Sequence, residues 1–379
     1  MAVVKDHSTG KRKQLLSEFP RKFPNSIEVE EWLFEQGIYA KSRKCPAGIP
    51  MTKMLIKKKE DQKQLVWKCT HRPMATCRRA QKSIRDGSFF SGLKIGMHQV
   101  LGIIFLYLYK LEFQGIKELA GVSAPTIRSV IHLLYRLMNA DIKEEDVSIG
   151  GIDKDGNRII VEVDESKFGK RKNHKGHAVE GVWVVGGVEH TPERKIFVTT
   201  VEDRKKDTLH LILSNYIKEG SEIRTDCWKG YCGLSRIPGK RYRHRTVNHA
   251  KEFKTAAGVH TNTIEGTWNG IKSMIRARHR TAPTMKYRLA EFIFRRKHAG
   301  DLWAGIIKAL KEVSFDKVTS SQCVEEEFIY TEVKRQRDDL DHDDSQFNND
   351  TQWVTDTEDD DDQSGSYTTN SRRKRSRNQ

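Results

Sequence analysis

Two different spacings of apolar residues mark the middle of the chain. Residues 93–138 place apolar side chains three and four positions apart with few helix breakers, which predicts helices. The longest apolar run, Val100 to Tyr109, is about half of a bilayer span, so it predicts a buried helix rather than a membrane segment. From Arg158 to about residue 300 the spacing alternates between strand and helix periods, which is typical of an α/β domain.

The helical segment contains a pattern typical of a helix-turn-helix between Phe113 and Ile127. Gly121 supplies the turn, and Ser123 is predicted to cap the next helix with Pro125 in its first turn. The apolar stripe of the first helix is predicted to be Ile116, Leu119 and Ala120. The residues predicted to face a DNA groove are Thr126, Arg128 and Ser129. The alternative is an ordinary helical bundle whose turn contains glycine.

A short amphipathic helix, residues 27–34 with Ser26 as its cap, precedes a segment that contains three cysteines. Zinc takes four N or S ligands, usually as two close pairs, and the candidate ligands are Cys45, Cys69, His71 and Cys77. Gly48 stands where a Cys-x-x-Cys pair would place its second cysteine. The segment is therefore either a zinc ribbon with an unusual ligand set or a degenerate ribbon that keeps buried cysteines.

Three acidic residues of the α/β region lie at the ends of predicted strands or near the start of a predicted helix. A predicted strand from Arg158 ends on Asp164, two more strands and a helix (209–217) follow, and a fourth strand from Glu222 ends on Asp226. Glu265 lies in the first turns of a late helix that starts at Asn262. Each acid alone is also explained as a strand-end or helix-start residue.

The order β-β-β-α-β-α with these acids is that of an RNase H-like fold, in which the first and fourth strands are neighbours. Asp164 and Asp226 are then expected to converge, and Glu265 to reach them from the covering helix. Three carboxylates at one point repel each other unless cations lie between them, and hard oxygen ligands suit Mg²⁺ or Mn²⁺. Two such ions about 4 Å apart would support phosphodiester cleavage and strand transfer.

The distribution of charge along the chain indicates which kind of partner it binds. Residues 338–362 carry twelve acids and no Lys or Arg, and Arg372 to Arg377 carries five bases, which leaves residues 1–337 with a net charge of +24. A body this basic is expected to bind a polyanion, and nucleic acid is the usual one. The terminal basic cluster resembles a nuclear import signal, so we expect the nucleus. No secretory signal is visible at the start, the six cysteines are too few for a disulfide framework, and no membrane is expected as a partner.

These features predict five parts. They are a basic arm (1–25), a helix with a degenerate zinc-ribbon-like segment (26–90), a helix-turn-helix region (91–150), an RNase H-like catalytic domain of mixed sheet and flanking helices (151–315) and a disordered acidic tail (316–379).

Four sequence blocks carry a family resemblance. The segments 161–170, 225–231, 247–249 and above all 260–272, His-Thr-Asn-Thr-Ile-Glu-Gly-Thr-Trp-Asn-Gly-Ile-Lys, resemble transposases of the Merlin superfamily. These belong to eukaryotic cut-and-paste DNA transposons, with relatives among bacterial insertion sequences of the ISXO2-like transposase type. The resemblance covers roughly residues 26–300.

The resemblance implies a DDE transposase that binds terminal inverted repeats of double-stranded DNA, cleaves at the transposon ends and joins the 3′ ends to target DNA. It implies Asp164, Asp226 and Glu265 as the catalytic triad and a homodimer or larger assembly. The rival functions are a domesticated, inactive DNA-binding regulator and a structure-selective nuclease on the same fold.

Further residues are candidates for supporting roles around the triad. The predicted phosphate contacts are Lys167, Lys170, Arg171, Lys229, Lys272, Arg276 and Arg278, for which a solvated basic face is the alternative. The predicted accessory active-site residues are Trp228, His249 and Asn262. Trp228 is equally well explained as a core residue and His249 as a structural histidine.

Overall fold

The computed structural model describes residues 23–57, 63–70, 77, 80–169, 181–247, 260–313 and 315, without the side chain of Arg278. All of them fall within one compact unit. Several predicted features lie outside these residues: most of the basic arm, His71, Lys170, Arg171, His249, the acidic tail and the terminal basic cluster.

The described elements follow the predicted succession of helices and strands. The helices are α1 (Ser26–Glu35), α2 (Met97–Leu108), α3 (Phe113–Ala120), α4 (Ala124–Asp141), α5 (Glu144–Val147), α6 (Lys206–Tyr216), α7 (Asn262–Met274), α8 (Ala282–Lys297) and α9 (Leu302–Glu312). The strands are β1 (Thr52–Lys57), β2 (Lys63–Lys68), β3 (Gln81–Ser83), β4 (Ile149–Gly150), β5 (Ile160–Phe168), β6 (Val182–Glu189), β7 (Ile196–Val201), β8 (Ile217–Lys218), β9 (Glu222–Thr225) and β10 (Arg243–Thr246). None of the helices in the described part of the chain is long and apolar enough to cross a membrane.

The N-terminal part combines helix α1 with a small antiparallel sheet, β1-β2-β3. The expected cap of α1 is wrong by one residue, because Asn25 rather than Ser26 accepts the backbone N–H groups of Ile27 and Glu28. The Ser26 hydroxyl is instead 2.9 Å from Nδ1 of His98 in α2. Phe34 of α1 packs against the buried cysteines of the ribbon segment, so α1 connects that segment with the helical core.

Helices α2, α3 and α4 form one core with α1 and α9. Gly121 ends α3 in the left-handed conformation (φ 62°), which confirms the predicted turn. Leu119, which was predicted to face inward, is instead 70% exposed, because only Ile116 of α3 is fully buried against the neighbouring helices. Helix α9 comes from the predicted catalytic segment, so the two predicted parts share this core.

The larger sheet has the order β10-β9-β5-β6-β7. Strands β5, β6 and β7 are antiparallel neighbours, whereas β9 runs parallel to β5 and β10 runs parallel to β9. Helices α6, α7 and α8 contribute buried residues to the core of this sheet. This mixed α/β arrangement fits the predicted RNase H-like fold and confirms that the first and fourth strands are neighbours.

Two features of the sheet differ from the prediction. Strand β5 does not end at Asp164 but continues to Phe168, because β6 pairs with it as far as Val182. Strand β10 was not predicted, because its sequence Arg-His-Arg-Thr has no apolar alternation and it forms the edge of the sheet.

A buried ionic network connects the helical core with the sheet domain. Glu291 of α8 accepts hydrogen bonds from Arg295 (2.8 Å), from Arg288 (3.1 Å) and from the Tyr107 hydroxyl of α2 (2.8 Å). Burial alone would raise the pKa of Glu291, but the charges of Arg295 and Arg288 lower it below its ordinary value. Arg295 also donates to the carbonyl of Leu108, so α8 is fixed to the end of α2.

Glu291→Gln should lower the free energy of unfolding by about 3–5 kcal/mol, because the buried carboxylate is the counter-charge of two half-buried guanidinium groups. Urea denaturation measures this difference. Glu312→Gln is the control, since Glu312 forms only an exposed pair with Lys308 and its loss should change stability little. Equal effects of the two substitutions would contradict the proposed importance of the network.

Candidate active site

The register of the sheet brings two of the predicted acids together. Strand β5 pairs with β9 at a constant offset, Ile160 with Glu222 and Glu162 with Arg224. The same offset continued by two residues places Asp226, which directly follows β9, beside Asp164. Both side chains are half-buried. The spacing between Asp164 and Asp226 in the sequence thus results from a parallel strand pair that holds both carboxylates at the same level of the sheet.

Helix α7 carries Glu265 in its first turn and packs on β5 and β6. Gly186 of β6 lies opposite Asp164, and a Cβ at Gly186 would be 2.9 Å from the Trp268 ring. The missing side chain therefore lets Trp268 lie against the sheet, where its Nε1 donates to Oδ2 of Asp164 at 2.9 Å. The glycine pair inside the apolar strand 182–189 was the sequence signal for this close approach.

The three acids act on one another electrostatically. Burial raises the pKa of Asp164, and the charges of Asp226 and Glu265 raise it further, against the hydrogen bonds from Trp268 and the Glu165 backbone. Among the described residues, two groups of three side chains have ligand atoms that all lie within 4.8 Å of one another. The three acids do not form such a group. Asp164 and Asp226 are half-buried and Glu265 is exposed. Carboxylates whose charges oppose one another fit a divalent cation, which would relieve the repulsion.

A fourth carboxylate, Glu165, lies next to the triad and was missed in the sequence. Burial and the charges of Asp164 and Asp226 raise its pKa to about 7, although the Tyr231 hydroxyl donates to it at 2.6 Å. Arg204 is 3.8 Å away. The sequence signal for Glu165 was the tandem pair Asp164-Glu165. Consecutive strand residues point to opposite faces of a sheet, so only one of these two acids could be assigned to the triad.

An aromatic and basic groove adjoins Asp226. The Arg204 guanidinium lies 3.9 Å from the centre of the Trp183 ring and 4.4 Å from that of Trp228. The backbone N–H of Trp228 donates to Oδ1 of Asp226 at 2.9 Å, and the Trp228 side chain is 39% exposed. It is therefore not a core residue. The groove is lined by Arg204, Lys205, Lys206, Trp228, Lys229 and Gly230.

The other predicted basic residues occupy different surroundings. Lys167 lies over the Trp183 ring at 5.5 Å, and Lys272 lies over Phe168 at 5.8 Å, so both are near the C-terminal end of β5. Arg276 forms an ion pair with Glu112, which occupies its charge. Asn262 is exposed at the start of α7, on the same side as Glu265.

A second polar cluster lies beside the triad and was not predicted. Glu162, two residues before Asp164 on β5, is in contact with His190 and His260, and the three ligand atoms are within 4.8 Å of one another. Burial would raise the pKa of Glu162, but hydrogen bonds from His190 and from α7 leave it below its ordinary value. The sequence signal was the strand alternation, which puts Glu162 and Asp164 on the same face.

The three cysteines of the ribbon converge as predicted. Cys45, Cys69 and Cys77 are buried, and the Sγ atoms of Cys45 and Cys77 are 3.0 Å apart. This contact lowers the pKa of Cys45 and raises that of Cys77. Gly48 has a left-handed conformation (φ 77°) in the tight turn that returns to Cys45, so the turn itself favours glycine over the missing cysteine. The three thiols could hold a metal ion.

The start of α4 carries the side chains predicted to face DNA. Ser129 is exposed and donates to the carbonyl of Pro125, whereas Thr126 and Arg128 are half-buried. Arg128 lies over the Phe113 ring at 5.5 Å, which connects α3 with α4. The Ser123 hydroxyl contacts Thr126 at 2.8 Å instead of capping a backbone N–H.

The segment that carries all of the candidate catalytic residues also has a family match. Residues 153–297 match the family model of the ISXO2-like transposase domain. This match supports a DDE-type transposase and implies DNA as partner and divalent metal use. The matched segment includes β5, β9 and α7, and hence all three acids. A comparison of the chain with curated proteins gave no match.

Adding Mn²⁺ should stabilise the wild-type protein, because a cation bound to the native carboxylates lowers the free energy of the folded state. At ten times Kd the gain is about 1.4 kcal/mol, which corresponds to a Tm increase of about 2–4 °C. Differential scanning fluorimetry measures it.

Asp164→Asn should remove this increase without lowering the Tm in the absence of metal, because it also removes the repulsion. Asp155→Asn, at an exposed acid in the turn before β5 that is not one of the three acids, is the control and should respond as the wild type does. An Asp164→Asn protein that gains as much Tm as the control would contradict this assignment.

Proposed function

We propose that the chain is a metal-dependent DNA transposase of the Merlin type that binds terminal inverted repeats, cleaves at the transposon ends and joins the 3′ ends to target DNA. The observation that carries the proposal is the approach of Asp164, Asp226 and Glu265 at adjoining strands and a covering helix within residues 153–297. An acid triad of mutually repelling charges is suited to divalent cations and phosphate.

The three acids would hold Mg²⁺ or Mn²⁺, which when bound activates a water or 3′-hydroxyl and stabilises the leaving oxygen of an in-line displacement. The chain's own residues orient the acids. Trp268 donates to Asp164, and the backbone N–H of Trp228 donates to Asp226, so each carboxylate has one oxygen fixed. Both donors are neutral, and they hold the ligands without adding charge to the site.

DNA would lie along the basic surface beside the triad. Lys229 and its neighbours in the groove offer cations to phosphates, and the exposed face of Trp228 offers a surface for an unpaired base. Lys167 and Lys272 extend this surface along the end of β5. The start of α4, with Ser129 exposed and Thr126 and Arg128 half-buried, would read the transposon end. Two ends would require at least two copies of the chain in a nuclear assembly.

Glu265→Gln and Asp226→Asn should abolish cleavage and strand transfer on a labelled duplex that carries the element's own end, because each removes a metal ligand. End binding should remain nearly unchanged, since neither residue recognises sequence. Gel analysis of cleavage with Mg²⁺ or Mn²⁺ and a mobility-shift titration measure the two properties.

Asp301→Asn is the control for this experiment, because Asp301 only caps α9, and it should cleave as the wild type does. Tight end binding by the wild type without cleavage in either metal would contradict the proposal and favour a domesticated DNA-binding protein.

The ribbon cysteines support a structural zinc site as a further part of the proposal. Three buried thiols with one lowered pKa match the sulfur-rich ligand sets of structural zinc. His71 is the predicted fourth ligand and lies outside the described residues.

Purified protein should therefore contain one zinc ion per chain, which elemental analysis by mass spectrometry measures. Cys77→Ser should lose it, because the ribbon would keep only two thiols. Cys232→Ser is the matched control, since Cys232 is an exposed free thiol, and it should keep the zinc. Wild-type protein without zinc would indicate a degenerate ribbon.

A further inference from the structure

The first turn of α7 is capped by a residue from a distant strand. The first N–H groups of a helix have no partner within the helix, and the side chain of the N-cap residue, Thr261, does not cap them. Instead, Oε2 of Glu162 accepts the backbone N–H groups of Thr263 (2.8 Å) and Ile264 (2.9 Å). The negative charge of Glu162 therefore lies at the positive end of the helix dipole.

The other oxygen of the same carboxylate is held by side chains. Oε1 of Glu162 accepts from the Thr263 hydroxyl at 3.1 Å and contacts Nε2 of His190, which follows β6. Nδ1 of His260, which precedes α7, is 3.1 Å from the same oxygen. The Glu162 side chain is fully buried, so these contacts replace all of its hydration.

This arrangement connects two predicted metal ligands through one side chain. Glu162 is two residues from Asp164 on the same face of β5. The N–H group that it accepts at Ile264 belongs to the residue directly before Glu265. The Trp268–Asp164 hydrogen bond then attaches α7 to β5 again, one turn later. Two attachments along the helix fix both its position and its rotation relative to the strand.

We infer that Glu162, supported by His190 and His260, is a positioning residue that sets Glu265 against Asp164. The inference rests on the proposed function, because it gives Glu265 a role as metal ligand. Glu162 itself is fully buried and faces the helix backbone and the two histidines, so in this role it acts through α7 rather than as a ligand. Its contribution is to set the distance between the carboxylates of Asp164 and Glu265, which bind the ion in the proposed function.

The test compares Glu162→Gln with Glu189→Gln for Mn²⁺ affinity, measured by electron paramagnetic resonance of free Mn²⁺, and for the cleavage rate. Glu189 is a matched control, because it is also a buried sheet glutamate that accepts a backbone N–H, from Gly150 at 2.9 Å. Residues that orient metal ligands typically change metal affinity or activity by about 10–100-fold. We expect that loss for Glu162→Gln, with end binding unchanged and with no such loss for Glu189→Gln.

A second pair of variants keeps the test valid if Glu162→Gln does not fold. His260 is 26% exposed, so its replacement disturbs the core less. His260→Ala should weaken Mn²⁺ binding, whereas His260→Asn should largely restore it, because an asparagine amide can occupy the place of Nδ1. A merely structural role of the cluster would change the Tm of these variants and leave their Mn²⁺ affinity at the wild-type value.

The remaining outcomes separate the two hypotheses. If the wild type binds Mn²⁺ and cleaves DNA while Glu162→Gln does both equally well, the positioning role is overturned and the transposase function stands. If the wild type neither binds Mn²⁺ nor cleaves, the proposed function fails, and the positioning role fails with it. If the wild type held a zinc ion besides that of the ribbon, and His190→Ala and His260→Ala both lost it, the cluster would be a metal site. That result would overturn its role as a hydrogen-bonded support of α7.

Discussion

The parallel pairing of β5 with β9 is the constraint on which the candidate site depends. Their offset brings Asp226 to the level of Asp164, although 61 residues separate the two acids and four other elements lie between β5 and β9. A shift of one residue in this register would turn the side chains of β5 to the other face. The apolar core under the sheet resists such a shift, because Val161 and Val163 are fully buried between the acidic positions. The hydrophobic pattern of β5 thus also fixes where its acids lie.

Strand β5 distributes three carboxylates among three tasks. Glu162 is surrounded by donors and stays ionised, because hydrogen bonds offset its burial. Asp164 has one strong donor and two repelling neighbours. Glu165, on the opposite side of the strand, has a pKa near 7 and is partnered by Tyr231. Glu162 has the most donors, whereas Asp164 and Glu165 have fewer donors and are acted on by the charges of neighbouring acids. The differences between these acids therefore come from their partners rather than from residue type.

Much of the fold and the approach of the three acids could be predicted from the sequence, because each acid lies next to a clear period of apolar residues. The catalytic role of the acids stays a prediction. The sequence could not show β10, whose polar sequence is held only by backbone pairing, or the extension of β5, which depends on its partner strand. The cluster of Glu162, His190 and His260 joins residues from three elements, and no local spacing indicates it. Leu119 was misplaced because an apolar residue on a short helix does not reveal which neighbours are present.

The repulsion among the three acids is unfavourable for folding, and the surroundings explain how the domain accommodates it. The close packing of Trp268 on Gly186 and the capped start of α7 lie at the site, and the Glu291 network lies in α8, which packs on α7. Each fixes a backbone position that the acids alone would push apart. Cation binding would then draw the three carboxylates together on a backbone frame whose strands and helix are already packed. A rigid frame around mutually repelling ligands is also what makes a site sensitive to small shifts of a helix, so the attachment of α7 to β5 should matter more for chemistry than for stability.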